Sequence, residues 1–277
     1  MKTIFTLATG RSGTRFLSGI LKRNVRGVVV RHEPYFDRWN PNLFGRPIHD
    51  NLVGDLESVR AEVRKKHEWV SGTDAEVYAE TSHAFLKSWA DVGMEFFPDM
   101  KLVHLVRDAL KTARSEANRE IQLRKFQIPF RRYRASDGRK YFRWSLTGRE
   151  PIYEHFGPHE LSLFQRYVVQ WIEIENRAMR FLDRYGKHGD CFTIHSPKEL
   201  DDPGRMGEML RVLGVEQRYP QIVIGGHQNR TPGARTIITD DEERQFRFVI
   251  DRLPASELEI FARPPYSAWP WSQRLLK

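Results

Sequence analysis

The sequence is poor in cysteine, in long apolar runs and in negative charge, and each shortage excludes something. With a single cysteine, Cys191, neither an internal disulfide framework nor a cysteine-rich zinc site can form. No stretch of about 18 apolar residues occurs, so no membrane span is expected. The apolar run at residues 4–8 is too short for the core of a signal peptide. The expectation is a cytoplasmic protein that opens directly on a buried strand. Acidic residues number 36 against 45 lysines and arginines, a net charge of +9. That balance favours anionic partners (nucleic acid, anionic lipid, or a phosphate- or sulfate-bearing ligand) without choosing among them.

What is present is core-forming material. Forty per cent of the chain is hydrophobic and 12% aromatic, enough to exclude wholesale disorder. Short apolar runs at 3–8, 28–31, 77–80, 101–106 and 190–194 read as buried strands. Helical spacing fills 15–23, 52–66, 85–92, 109–123, 161–185 and 205–213, and Thr239 with Glu242 has the spacing of a capping box opening a helix to about residue 252. Strands alternating with helices predict an α/β fold, a three-layer arrangement with a mostly parallel central sheet and helices on both faces. No repeat of 20–50 residues is present, and residues 1–277 are expected to form one domain. Segments 34–50 and 124–158 interrupt the alternation and read as lids or acceptor-binding insertions, and 225–236 as a third polar loop.

Two stretches carry chemistry. In the first, Gly10, Arg11, Ser12, Gly13 and Thr14 lie between a strand and a helix. Glycines let backbone N–H groups converge on an anion at a helix N-terminus, while Ser12 and Thr14 add hydroxyls and Arg11 and Arg15 add charge. The bland alternative is a glycine turn that only starts a helix. The Walker spacing is not met, and no Lys-Ser or Lys-Thr follows the second glycine, which disfavours a magnesium-nucleotide kinase. In the second stretch, Arg107 and Asp108 end a strand and Ser115 follows Arg107 by eight residues, about two helical turns. Ligands of open α/β sheets bind outside the carboxyl ends of strands. Here the bland alternative makes Asp108 a helix cap and Arg107 a surface residue.

Taken together, TGRSGTRF and LVRDALKTARS resemble the 5′-phosphosulfate loop and the 3′-phosphate motif of sulfotransferases that use 3′-phosphoadenylyl sulfate (PAPS). The segments around Glu80-Thr81-Ser82, Trp171 and residues 197–215 extend the likeness over most of the chain. Ala109 stands where that family usually has proline, and Arg15 where many members have a second hydroxyl residue. The resemblance implies a P-loop-like fold and transfer of a sulfonate from PAPS, as co-substrate, to a hydroxyl of a sugar or other small molecule. It implies no metal, since cationic side chains neutralise the leaving group. Arg11 falls at the catalytic cation, and Arg11, Ser12, Gly13, Thr14, Arg15, Arg107 and Ser115 at the nucleotide contacts. Arg230, in a loop similar to the family's late cofactor loop, joins them.

The acceptor proton needs a base near the end of the second strand, where the sequence reads Arg31-His32-Glu33-Pro34. Glu33-Pro34 resembles the Glu-Pro of carbohydrate-type sulfotransferases and implies Glu33. His32 is the rival, because its ordinary pKa already suits the task. Neighbours on a strand face opposite ways, so only one of the two addresses the sulfonate unless the chain has turned. A surface histidine and an exposed glutamate before a proline turn is the plain alternative. His83 is placed to shape an acceptor pocket, and His104 reads as a core histidine. Between residues 124 and 143, eight of twenty positions are Lys or Arg, interleaved with Phe126, Phe130, Tyr133, Tyr141 and Phe142. That pattern fits a solvated loop, an anionic or sugar acceptor, or single-stranded nucleic acid. Trp269 and Trp271 are expected to pack a tail onto the body. A P-loop small-molecule kinase and a non-catalytic nucleic-acid binder remain the competing readings, nucleic acid being the weaker partner.

Overall fold

The structure, a computed structural model, describes residues 1–34, 40–157, 159–225 and 237–276. Five strands form one sheet: β1 (Lys2–Ala8), β2 (Val28–Arg31), β3 (Val77–Glu80), β4 (Lys101–Val106) and, after a hairpin described below, β7 (Cys191–His195). Their spatial order is β2-β3-β1-β4-β7, and every pairing is parallel. The sheet's two faces bury separate apolar clusters. Phe5, Leu7, Tyr78, Leu102 and Val106 point to one side, and Ile4, Ala8, Ala79, Val103 and Leu105 to the other. Burial on both faces is why the strands read as continuous apolar runs in the sequence.

Helices cover both faces. On the second face lie α1 (Thr14–Asn24) and α7 (Pro203–Val212). The first carries α2 (Arg46–Leu52), α3 (Leu56–Ser71), α4 (Ala90–Phe96), α5 (Ala109–Lys125), α6 (Leu163–Tyr185) and α8 (Asp240–Arg252). The α/β, mostly parallel three-layer arrangement expected from the pattern is therefore the one found. Phe5 lies at the centre of an aromatic group, stacked on Phe85 at 5.7 Å and edge-on to Trp89 and Phe97 at 5.1 Å. The capping box is present: Glu242 N–H donates to Thr239 Oγ1, and the Glu242 carboxylate accepts from Thr239 N–H at 3.0 Å.

Two elements differ from expectation. The helix expected at 52–66 is two helices, because Gly54 turns left-handed at φ 76° and Asp55 caps a new start through Ser58 N–H. The helix expected at 85–92 begins as a π-type turn, Phe85–Trp89, before α4.

A buried ion pair fixes the end of β3. Lys66 Nζ donates to Glu80 Oε2 at 2.6 Å, with neither side chain exposed. The same ammonium donates to Asn40 Oδ1, and Tyr78 OH donates to Glu80, each at 2.6 Å.

Candidate active site

All five strands end on one rim of the sheet, and the predicted site residues that the structure describes gather there. From the end of β1 the chain passes through Thr9–Gly13 into α1, with Arg11 at φ 62° and Gly13 at φ 108°. Left-handed residues in so short a turn form a concavity lined by N–H groups, suited to an anion. No side chain caps α1, so its positive end faces the loop. The Ser12 hydroxyl donates to Thr9 O at 2.7 Å and so holds the loop's own shape. Thr14 is buried at the first position of α1, and Arg15 beside it is exposed. A side chain at Gly10 would collide with the Glu116 carboxylate and come within 3.3 Å of His83 Cε1. The glycine is thus a steric requirement, letting the loop lie against α5.

The second stretch meets the first directly. Arg107 follows β4, next to β1 in the sheet, and its Nη1 donates to Arg11 O at 2.7 Å. Arg11 Nε donates to Ser115 Oγ at 3.1 Å across the same gap. Trp171 Nε1 holds the Arg107 carbonyl at 3.0 Å. Asp108 caps α5 through Lys111 N–H, as the plain reading of that residue had it, but Arg107 is half-buried and tied into the loop. Its Nε is buried without a hydrogen-bond partner among the described residues, a donor disposed to accept an anion. Burial lowers the Arg11 and Arg107 guanidinium pKa values; Glu116 opposes the shift at Arg11, whereas Arg11 adds to it at Arg107. Two arginines this close and partly desolvated favour a polyanion between them.

The two candidate bases both lie beyond β2, which ends at Arg31, so strand alternation does not separate them. Glu33 has φ 45° and is almost fully buried. A non-glycine residue held there costs on the order of 1–3 kcal/mol, a strain typical of functional positions. His32 Nδ1 lies 2.9 Å from Thr81 O. A carbonyl only accepts, so Nδ1 carries the proton and Nε2 is left as the basic nitrogen. Burial lowers the His32 pKa, partly offset by Glu33.

Glu33 Oε1 stands 3.3 Å from His83 Nε2. Lys87, in the π-type turn, donates from Nζ to His83 Nδ1 at 2.9 Å and to Trp144 O at 2.7 Å. Burial and then the neighbouring Lys87 charge hold the His83 pKa well below the usual histidine range. Burial also pushes Lys87 down, to about 8, against the pull of Glu116. Sequence reasoning gave His83 only a loose role and missed Lys87, Glu116 and Arg119. Glu116 immediately follows Ser115 and is buried, and the Arg119 guanidinium lies 4.8 Å over the Trp144 ring. The adjacency of Glu116 to Ser115 was the one local signal that pointed to any of these three.

The basic segment is no simple solvated loop. It forms an antiparallel hairpin, β5 (Arg132–Arg134) with β6 (Lys140–Phe142), and Tyr133, Phe142 and Trp144 are buried. Phe126 and Phe130 stay 68% and 50% exposed. His104 is the expected core histidine, with Nε2 2.9 Å from Glu175 Oε2. Trp271 packs on Trp171 at 5.7 Å and donates to His195 Nε2 at 2.8 Å. Arg230 lies outside the described residues. Among the described residues no helix is long and apolar enough to cross a membrane.

No protein-family profile matches the chain, and no curated protein matches it in sequence. Among solved structures it is similar to a sulfotransferase from Alicyclobacillus acidocaldarius, with 18% identity and a TM-score of 0.47, over 93% of this chain and 96% of that one. A likeness of that degree bears on neither donor nor acceptor, so the functional reading rests on the site itself.

Proposed function

We propose that the chain is a PAPS-dependent sulfotransferase that sulfates a hydroxyl of a sugar or other small molecule. The observation carrying this reading is the direct contact between the two predicted nucleotide stretches, Arg107 Nη1 on Arg11 O and Arg11 Nε on Ser115 Oγ. One grips a 5′-phosphosulfate and the other a 3′-phosphate only if they share a cleft. In this reading the chain acts as a single domain, and segments 34–50 and 124–158 frame the acceptor.

The chemistry asks for three things: in-line placement, stabilisation of charge on the bridging oxygen, and removal of the acceptor's proton. The amides of the 9–13 turn and α1's positive end hold the sulfonate-bearing phosphate. Arg11 stabilises the bridging oxygen as its bond to sulfur breaks, in place of a metal. Arg107 and Ser115 select the 3′-phosphate. Glu33 takes the proton as the acceptor oxygen bonds to sulfur, and the nucleotide leaves as 3′-phosphoadenosine 5′-phosphate. Glu33 is preferred to His32 because burial weakens His32 as a base, whereas Glu33 is held in a strained conformation with one oxygen already against His83.

Differential scanning fluorimetry with 3′-phosphoadenosine 5′-phosphate, ATP and ATP with magnesium tests the donor class. A ligand present at 100 times its Kd adds about 2.7 kcal/mol to stability, a shift easily read. Stabilisation by the bisphosphate alone supports the proposal. Stabilisation only by magnesium-ATP points to a kinase, and response to none of them refutes nucleotide binding at this cleft.

A further inference from the structure

We propose that buried Lys87 is a positioning residue: it locks His83 in the tautomer that aims an N–H at Glu33. The role in turnover rests on Glu33 being the base.

The argument follows from donor and acceptor chemistry. Lys87 lies wholly inside the protein, and its Nζ reaches His83 Nδ1 at 2.9 Å and Trp144 O at 2.7 Å. An ammonium has only donors. His83 Nδ1 is therefore the acceptor, and the ring proton sits on Nε2, 3.3 Å from Glu33 Oε1. The imidazole is held neutral by burial and by Lys87, Arg119, His32 and Arg11. His83 Nε2 makes no hydrogen bond among the described residues, so its N–H is a buried donor 3.3 Å from that carboxylate, placed to orient one oxygen without the ion pair that would weaken it as a base. The second oxygen of Glu33 is left for the acceptor proton.

The arrangement also accounts for where the lysine comes from. His83 follows β3 by three residues, and the π-type turn places Lys87 inward, level with the Trp144 carbonyl that follows β6. The segments carrying Glu33, His83 with Lys87, and Trp144 thus meet in one chain of neighbours, Trp144 O to Lys87 Nζ to His83 to Glu33. A lysine serving only to satisfy Trp144 O would need no histidine at its second donor.

The test has a spectroscopic arm and a kinetic arm. Imidazole 15N spectra at neutral pH, with His83 assigned by its disappearance in His83→Gln, are expected to show a single neutral Nε2–H tautomer. An Nδ1–H tautomer or an imidazolium overturns the proposal whatever the activity. Kinetically, His83→Leu is expected to lower kcat by on the order of tenfold to a hundredfold, the cost of a misplaced catalytic group. The donor KM should stay within about twofold, and His83→Gln, which still offers an N–H, should recover most of the rate. Lys87→Met should mix the tautomers and lower kcat; if it does not fold, the wild-type spectrum and the His83 pair still decide. Wild-type turnover in His83→Leu alongside a dead Glu33→Gln refutes the positioning role alone. Full turnover in Glu33→Gln refutes the base assignment, and with it this role in catalysis.

Discussion

Truncating Arg107 to alanine removes two things at once, and a ratio separates them. One is the tether from Nη1 to Arg11 O, 2.7 Å long, which shapes the loop for any nucleotide. The other is the contact proposed for the 3′-phosphate, drawn from a guanidinium whose buried Nε has no partner among the described residues. A hydrogen bond to a charged group contributes about 1.5–3 kcal/mol. At 1.36 kcal/mol per decade, that is about a 10- to 150-fold loss of affinity. The tether loss weakens 3′-phosphoadenosine 5′-phosphate and adenosine 5′-phosphate equally and cancels when their Kd values are divided. Isothermal titration of wild type and Arg107→Ala with both ligands, at one salt concentration, should show the preference for the bisphosphate falling by about that factor. An unchanged ratio, with both ligands equally weakened, would refute the 3′-phosphate role and leave Arg107 as a loop support.

Glu33→Gln is expected to lower kcat by about 10²–10⁴, the usual contribution of a general base, with bisphosphate affinity nearly unchanged; near-normal turnover would move the base to His32. Lys66→Met should destabilise the fold by about 3–5 kcal/mol by stranding the buried Glu80 carboxylate, and Lys66→Met with Glu80→Gln should recover much of that in urea melts. No recovery in the double variant would show that packing, not charge, sets the cost. Stability should also decline on acidification below pH 6.5, the ordinary histidine value, because the unfolded chain then binds protons that buried His83, held well below it, refuses. His32 and His195, lowered more mildly by burial, add to the same slope. Thermal melts from about pH 7 to pH 5 should therefore be flatter for His83→Gln than for wild type, and identical slopes would contradict the buried neutral imidazole.

The strands, and the glycine turn between β1 and α1, were legible because their signals are local. A strand buried on both faces reads as an apolar run, and a glycine turn between strand and helix is written in adjacent residues. The break between α2 and α3 was hidden because Leu52, Leu56, Val59 and Val63 keep helical spacing across it; only Gly54 and the capping residue Asp55, three before Ser58, mark it. Lys87 was invisible for a different reason. In HAFLKSW a lysine reads as the wet side of a short helix. Its burial depends on a widened turn and on the Trp144 carbonyl, 57 residues away. Glu116 likewise looks like an ordinary helix-surface acid until the loop at Gly10 closes on it. Strand alternation was the wrong tool for choosing between His32 and Glu33, since both residues follow the strand's end.

The indole of Trp171 links the site to a distant part of the chain. Its N–H holds the backbone of Arg107, while its ring is stacked on Phe261 at 5.2 Å and braced by Trp271. The turn at Pro270–Leu275 thereby acts as a buttress behind the Arg107 backbone, remote from it in sequence yet one ring away in space. If the proposed function holds, loosening that turn would register first as weaker binding of 3′-phosphoadenosine 5′-phosphate, before any general loss of fold.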